Sequence, residues 1–240
     1  MARVSRGARP SPRHRLAGAT PHVAVPAPAQ FLYRPSQLSM WGNDVNGDCC
    51  TAEEAFAKAC NTPEIFVPDE EVIAWATRHG VLNGATGIDV LDWMQTDGFQ
   101  MNASTYDDGP STSVDWTNPT VLQSAISQGP VKTIISADQV ENAYQLHQAS
   151  GWIGTGFTQD ENYDHCVSLC GYGQLGWLLG ELGTEIPNNL DPQSPFYAMF
   201  TWNSIGAIDL QSLVAICGEA WIRNPTTVAS GTVGQTGRTL

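Results

Sequence analysis

Apolar residues recur at helical spacing in the first half of this chain and gather into strand-like runs in the second. Cys49, Ala52, Phe56, Ala59 and Cys60 fall on one face at a period of 3.6, with Glu53, Glu54 and Lys58 off that stripe. This pattern predicts an amphipathic helix over 51–60. Asp48 stands at the N-cap, Glu53 and Glu54 suit the positive end of the helix, and Asn61-Thr62-Pro63 stops it. Further helices are predicted over 69–79, ended by Gly80, and over 88–96, where Ile88, Leu91 and Trp93 are the apolar positions and Gly98 ends the run. Residues 102–119 read as loop around the turn Asp107-Asp108-Gly109-Pro110, and Asn118-Pro119 opens a short helix over 120–127.

From Gly129 the pattern changes. Residues 130–135, 166–170 and 196–202 are apolar runs of strand length, the second ended by Gly171-Tyr172-Gly173. Residues 174–195 carry Gly176, Gly180, Gly183, Pro187, Pro192 and Pro195 and read as a surface excursion. A helical first part and a strand-rich second part make an α+β arrangement, with a cleft expected where the two meet. Residues 1–30 are rich in Arg, Pro, Ala and Ser and read as an extended, solvated arm, and 225–240 as a tail.

Composition narrows the picture. Hydrophobic residues make up 42% of the 240 and charged residues 15%, which suits a folded body large enough for a real core. No run approaches the roughly 18 apolar residues of a membrane span. Net charge is −13, but Arg3, Arg6, Arg9, Arg13 and Arg15 stand together and no Asp or Glu precedes Asp44. From residue 16 onward there are six basic and 24 acidic residues, so the body should repel nucleic acid and anionic membranes. The basic arm is suited to contact an acidic surface, the body's own included. The six cysteines form no Cys-x-x-Cys pair, which argues against a zinc ribbon, and no cofactor is expected.

The most specific chemistry is a thiol, an imidazole and an amide in that order along the chain. Cys49 sits at a helix start, where unpaired N–H groups and the macrodipole stabilise a thiolate. His165 lies at the entrance to a strand, and Asn203 lies where another strand ends. Cys-His pairing activates the sulfur, and a third polar group fixes the ring. The Cys49 N–H and the Asn43 side-chain amide are the candidates for an oxyanion hole. Each residue alone has a plainer reading: a buried cysteine, a satisfied histidine, a strand-ending asparagine. Cys50 is the alternative nucleophile if the helix start is misplaced by one.

Four ordered blocks resemble the papain-like cysteine peptidases. Asn43 stands six residues before Cys49, where that family has Gln, and Gly47-Asp48-Cys49 matches its Gly-x-Cys. Gly129-Pro130-Val131 follows a short helix as in the family. His165 leads through small and apolar residues to Gly171-Tyr172-Gly173, and Trp202-Asn203-Ser204-Ile205-Gly206 matches the strand ending in Asn-Ser-Trp-Gly. The resemblance implies a helical left half, an antiparallel β-barrel-like right half, and peptide or protein substrates cleaved in the cleft between them. It implies Cys49 as nucleophile, His165 as base and then acid, Asn203 as orienter and Asn43 as oxyanion donor. The catalytic domain would span 31–224, its helical half about 40–118 and its strand-rich half about 119–224. Three departures stand out: Asn43 for Gln, Cys50 for an aromatic residue, and Ile205 for the Trp that shields the Asn–His bond, a place Trp202 could fill. The departures leave two alternatives, a fold kept for binding without turnover and an amidase or acyltransferase using the same site.

Overall fold

The computed structural model describes residues 4–147 and 149–230. In chain order, a short strand β1 (Ala8–Arg9), a short helix α1 (Arg13–Ala17) and β2 (Phe31–Leu32) lead into the helical half. That half holds α2 (Cys49–Ala59), α3 (Asp69–Arg78), β3 (Ala85–Thr86), α4 (Gly87–Met94), β4 (Phe99–Met101), β5 (Ser104–Asp107) and β6 (Ser111–Ser113). The second half runs α5 (Pro119–Gln128), β7 (Val131–Ile135), α6 (Asp138–His147), β8 (Ile153–Gly154) and β9 (His165–Gln174). It continues through α7 (Leu175–Leu182), β10 (Pro195–Thr201), β11 (Ser204–Asp209), α8 (Leu210–Ile216), β12 (Cys217–Arg223) and β13 (Val228–Ser230).

The main sheet has the order β6-β12-β7-β9-β10-β11-β8, with β2 also paired to β9. Its ladders are antiparallel except for β8 on β11, and it is an open sheet rather than the closed barrel that a barrel-like half would suggest. β9 is buried from His165 to Tyr172 because both of its faces are covered. Cys166 and Cys170 point into the core shared with α2, α3 and α7, and Val167 and Leu169 point into the core on the other face. That alternation is the period-2 geometry of a strand. α2 lies against β9, and its Phe56 ring stacks on Phe200 of β10.

Four sequence expectations need correction. α2 is buried on every side, Glu53, Glu54 and Lys58 included. These charges are tolerated inside because they meet opposite charges: Lys132 holds Glu53 at 2.7 Å and Glu54 at 2.8 Å, Arg223 holds them at 2.9 and 3.0 Å, and Lys58 pairs with Asp108. Residues 102–119 are not all loop; β5 and β6 pair with β13 and β12. The 174–195 stretch is not all surface excursion; α7 buries Leu175, Leu178 and Leu179 and ends on Gly183 in the left-handed conformation. The expected tail begins inside the body, since Lys58 Nζ donates to the Thr226 carbonyl at 3.0 Å and β13 is paired; residues 231–240 lie outside the described residues.

Candidate active site

Cys49 is the first residue of α2 and His165 the first of β9, so the packing of α2 on β9 brings thiol and imidazole together. Both are buried, at 2% and 1% exposure. Burial alone would raise the Cys49 thiol, but hydrogen bonds from Cys50 and His165, the His165 charge and the Cys166 backbone N–H outweigh it and hold Cys49 well below an ordinary thiol. Its neighbour moves the other way. Hydrogen bonds to Cys166 and Cys49, together with burial, push Cys50 well above the ordinary value, so Cys50 stays a thiol. Lys132 Nζ lies against this thiol group, 2.7 Å from the Cys50 carbonyl and 3.8 Å from Cys166 Sγ.

The His165 ring is fixed from two sides. Nε2 lies 2.8 Å from Thr201 Oγ1, and the Trp202 ring stacks on the imidazole at 4.7 Å with 20° between planes. Nδ1 has no oxygen or nitrogen partner among the described residues; the ring's electrostatic partner is the Cys49 sulfur. The sequence assigned the orienting role to Asn203, and here the structure differs. Thr201 ends β10 and Ser204 begins β11, so Trp202 and Asn203 form the two-residue turn of the hairpin, with Trp202 at φ 52°. Asn203 is therefore exposed, and its Oδ1 accepts from the Tyr144 hydroxyl at 3.1 Å. Trp202 covers His165 itself rather than an Asn–His bond. A hydroxyl two residues before the expected Asn was the signal available in the sequence, since i and i+2 share a strand face.

Asn43 is buried, and its Nδ2 donates to the Asn46 carbonyl at 3.0 Å. Asp48 does not cap α2 with its side chain. Its carboxyl is buried next to the sulfur. Desolvation first, and then the negative charge of Cys49, push it up to about 8, while the Asn43 amide acts weakly the other way. At neutral pH Asp48 is mostly a neutral acid, a state the sequence reading did not foresee.

The arm is hydrogen-bonded to residues that neighbour the site. The Ser5 N–H donates to the Asn43 carbonyl at 2.9 Å, and Trp202 Nε1 donates to the Ser5 carbonyl at 3.3 Å. The Gly7 and Ala8 N–H groups both donate to the Asp164 carbonyl, at 3.1 and 3.0 Å, next to His165. Ala85 N–H donates to the Gly7 carbonyl at 3.0 Å, and β1 pairs in parallel with β3. Gly7 lies so close to Gly47 that a Cβ there would sit 1.8 Å from the Gly47 carbonyl oxygen. Further along, the Ser11 N–H and Oγ donate to the buried Glu219 carboxylate at 3.1 and 3.0 Å, beside a cavity of about 280 Å³ lined by Arg13, Leu16, Ile134 and Tyr163. The solvated arm expected from composition is instead docked, because its arginines meet the body's carboxylates: Arg6 with Asp138, Glu141 and Asp164, and Arg15 with Asp89 and Asp92.

The fold is that of the papain-like cysteine proteases. Solved structures similar to this chain include the Amb a 11 cysteine protease of ragweed pollen in its proform, at 13% identity and TM-score 0.60, with 88% of this chain and 73% of that one covered. Xylellain, a cysteine protease from Xylella fastidiosa, matches at 11% identity and TM-score 0.60, covering 92% and 96%. Digestive procathepsin L 3 of Tenebrio molitor larval midgut matches at 13% identity and TM-score 0.59, covering 85% and 73%. No protein-family model matches the sequence, and no curated protein sequence matches it significantly.

Proposed function

We propose that this protein is a thiol peptidase held in a latent state by its own N-terminal arm. The observation that carries the reading is the meeting of thiol and imidazole: Cys49 opens α2, His165 opens β9, and α2 packs on β9, while the neighbouring Cys50 Sγ faces the Ala85 carbonyl. In this reading the Cys49 thiolate attacks the substrate carbonyl and the His165 imidazolium gives its proton to the leaving amine. Water, activated by the now neutral ring, releases the acyl group and restores the thiol. Thr201 and Trp202 position the ring, with Asn203 one shell further out through Tyr144. The Cys49 N–H and the Asn43 amide, turned away from Asn46, receive the oxyanion, with the neutral Asp48 acid behind them. The catalytic unit is 31–224, in halves of about 40–118 and 119–224, and 1–30 is its cover; two of the similar structures are themselves proforms.

The test uses the full chain carrying Gly7→Val, whose side chain has no room against Gly47. This variant should cleave an unfolded protein, and a thiol-directed peptide epoxide should label Cys49 in it. Adding Cys49→Ala should abolish cleavage. Thr201→Val should lower kcat by about tenfold, a part of the roughly 10²–10⁴-fold that a well-placed acid–base group supplies, and by more than Asn203→Ala does. Cleavage that survives Cys49→Ala rules the proposal out. A folded, labelled but inactive Gly7→Val protein would instead favour the second reading, a binding protein on this fold, which the displacement of Asn203 from His165 supports.

A further inference from the structure

Three thiols meet where the start of α2 packs against β9. Cys49 and Cys50 are the first two residues of α2, and Cys166 is the second residue of β9. They are buried, at 2%, 2% and 4% exposure, in the core that the two elements share. The Cys166 N–H reaches the Cys49 sulfur, and the Cys50 sulfur hydrogen-bonds both Cys49 and Cys166. Attack by Cys49 with His165 as its base uses neither Cys50 nor Cys166. A cation faces the same group: Lys132 Nζ lies 3.8 Å from Cys166 Sγ. Burial raises the Cys166 thiol, and the Cys50 hydrogen bond and the Lys132 charge act the other way. The remaining cysteines stand apart, with Cys60 at the far end of α2, Cys170 further along β9 and Cys217 at the start of β12.

A thiolate with other thiols in contact passes an oxidation on to them. Burial closes this group to bulky disulfides and leaves hydrogen peroxide, little larger than water, as the oxidant that fits. We propose that Cys49, Cys50 and Cys166 are a peroxide-responsive thiol relay, in which Cys49 takes the oxygen and the oxidation ends as a Cys50–Cys166 disulfide with Cys49 free again. The Cys49 thiolate attacks one peroxide oxygen, the O–O bond breaks, and the hydroxide released leaves as water with the His165 proton. The Cys166 sulfur then attacks the sulfur of the Cys49 sulfenic acid. An S–S bond forms, the S–O bond breaks, and the hydroxyl leaves as water with the Cys166 proton. Last, Cys50 attacks the Cys166 sulfur, its proton passes to His165, and Cys49 departs as the thiolate its surroundings favour. Two thiols and one peroxide become one disulfide and two waters. A direct Cys49–Cys50 bond is disfavoured, because neighbouring Cα atoms are about 3.8 Å apart and disulfides usually span about 4.4–6.8 Å. The relay needs the thiolate and its neighbours, not peptide cleavage, and it spares Cys49 the irreversible sulfinic step.

The full chain is treated with hydrogen peroxide, denatured in acidic urea with N-ethylmaleimide, and mapped by tandem mass spectrometry, which reads residues 49 and 50 separately. Wild type should form one Cys50–Cys166 disulfide, reversed by dithiothreitol, with the maleimide on Cys49. Cys50→Ser should stop one step earlier, with Cys49 joined to Cys166. Cys49→Ala should form the Cys50–Cys166 bond about tenfold or more slowly, because peroxide then meets thiols rather than a thiolate. Circular dichroism checks that both variants fold, and the wild-type map decides alone where one does not. A wild type whose Cys49 turns to sulfinic acid, or stays reduced, while Cys50 and Cys166 keep their thiols overturns the relay. So does a bond that stays between Cys49 and Cys166, one that joins Cys60 to Cys170 instead, or a Cys50–Cys166 bond formed by Cys49→Ala at the wild-type rate. Cleavage is not among the readouts, so loss of the peptidase reading leaves the relay standing, and loss of the relay leaves the peptidase reading.

Discussion

Cys49 and Cys50 are chain neighbours with opposite acid–base character, and the difference lies in what each sulfur faces. Cys49 faces His165 and the Cys166 N–H, whereas Cys50 faces other thiols and the Ala85 carbonyl. Asp48 completes the set. Its carboxyl, raised to about 8, holds a proton that the unfolded chain gives up near pH 4. The native state then binds more protons than the unfolded state between those two values. Folding stability falls as pH rises through that window, at about 1.4 kcal/mol per pH unit for the one proton, and levels off above it. Asp48→Asn keeps the shape and cannot ionise. Urea denaturation at pH 4.5, 6 and 7.5 should therefore show the stability of Asp48→Asn relative to wild type growing with pH. A constant difference across that range would mean that Asp48 ionises freely in the folded protein.

At the scale of elements, α2 is held by charge as much as by apolar packing. Lys132 is the inner tie, touching Glu53, Glu54 and the Cys50 carbonyl at 2.7–2.8 Å, and it is fully buried. Lys132→Met leaves two buried carboxylates with Arg223 as their remaining strong partner. Removing one member of such a buried group costs about 3–5 kcal/mol, against about 1 kcal/mol or less for a surface pair. The urea midpoint of Lys132→Met should fall accordingly, and a loss of surface-pair size would show that the network does not hold the helix. This network also marks the limit of what the sequence reveals. The helix over 51–60, the apolar runs that became β7, β9 and β10, and the placement of Cys49 and His165 at element starts were legible because period and polarity are local. The burial of Glu53 and Glu54 was not, because their partners stand at Lys132 and Arg223, far along the chain. The Thr201–Asn203 exchange left only a hydroxyl two residues before the Asn as its sign in the sequence. A strand end shifted by one or two residues turns a side chain from the site to the solvent, and periodicity does not fix strand ends that closely.

At the scale of the molecule, a basic, acid-free arm lies on an acidic body, and it hydrogen-bonds to Asn43 and to Asp164, the residue before His165. Two kinds of force hold it there. One is steric fit and backbone hydrogen bonding, with Gly7 against Gly47 and the Asp164 and Asn43 carbonyls as acceptors. The other is ion pairing by Arg6 and Arg15, whose side chains are 23% and 36% exposed and so partly open to screening. The two predict different responses of one observable, the rate at which a small thiol reagent alkylates Cys49. In the wild type the rate should rise as salt goes from low values to about 1 M, where screening acts over about 3 Å, because Arg6 and Arg15 loosen. In Gly7→Val the rate should start about tenfold or more above wild type, since a fit that excludes a Cβ is worth at least 1.4 kcal/mol, and should change little with salt because the arm is already displaced. Peptide mass mapping must place the label on Cys49. If Gly7→Val and wild type react at the same rate at low salt, the arm does not guard the thiol; if both rise equally with salt, the ion pairs act on something other than the arm.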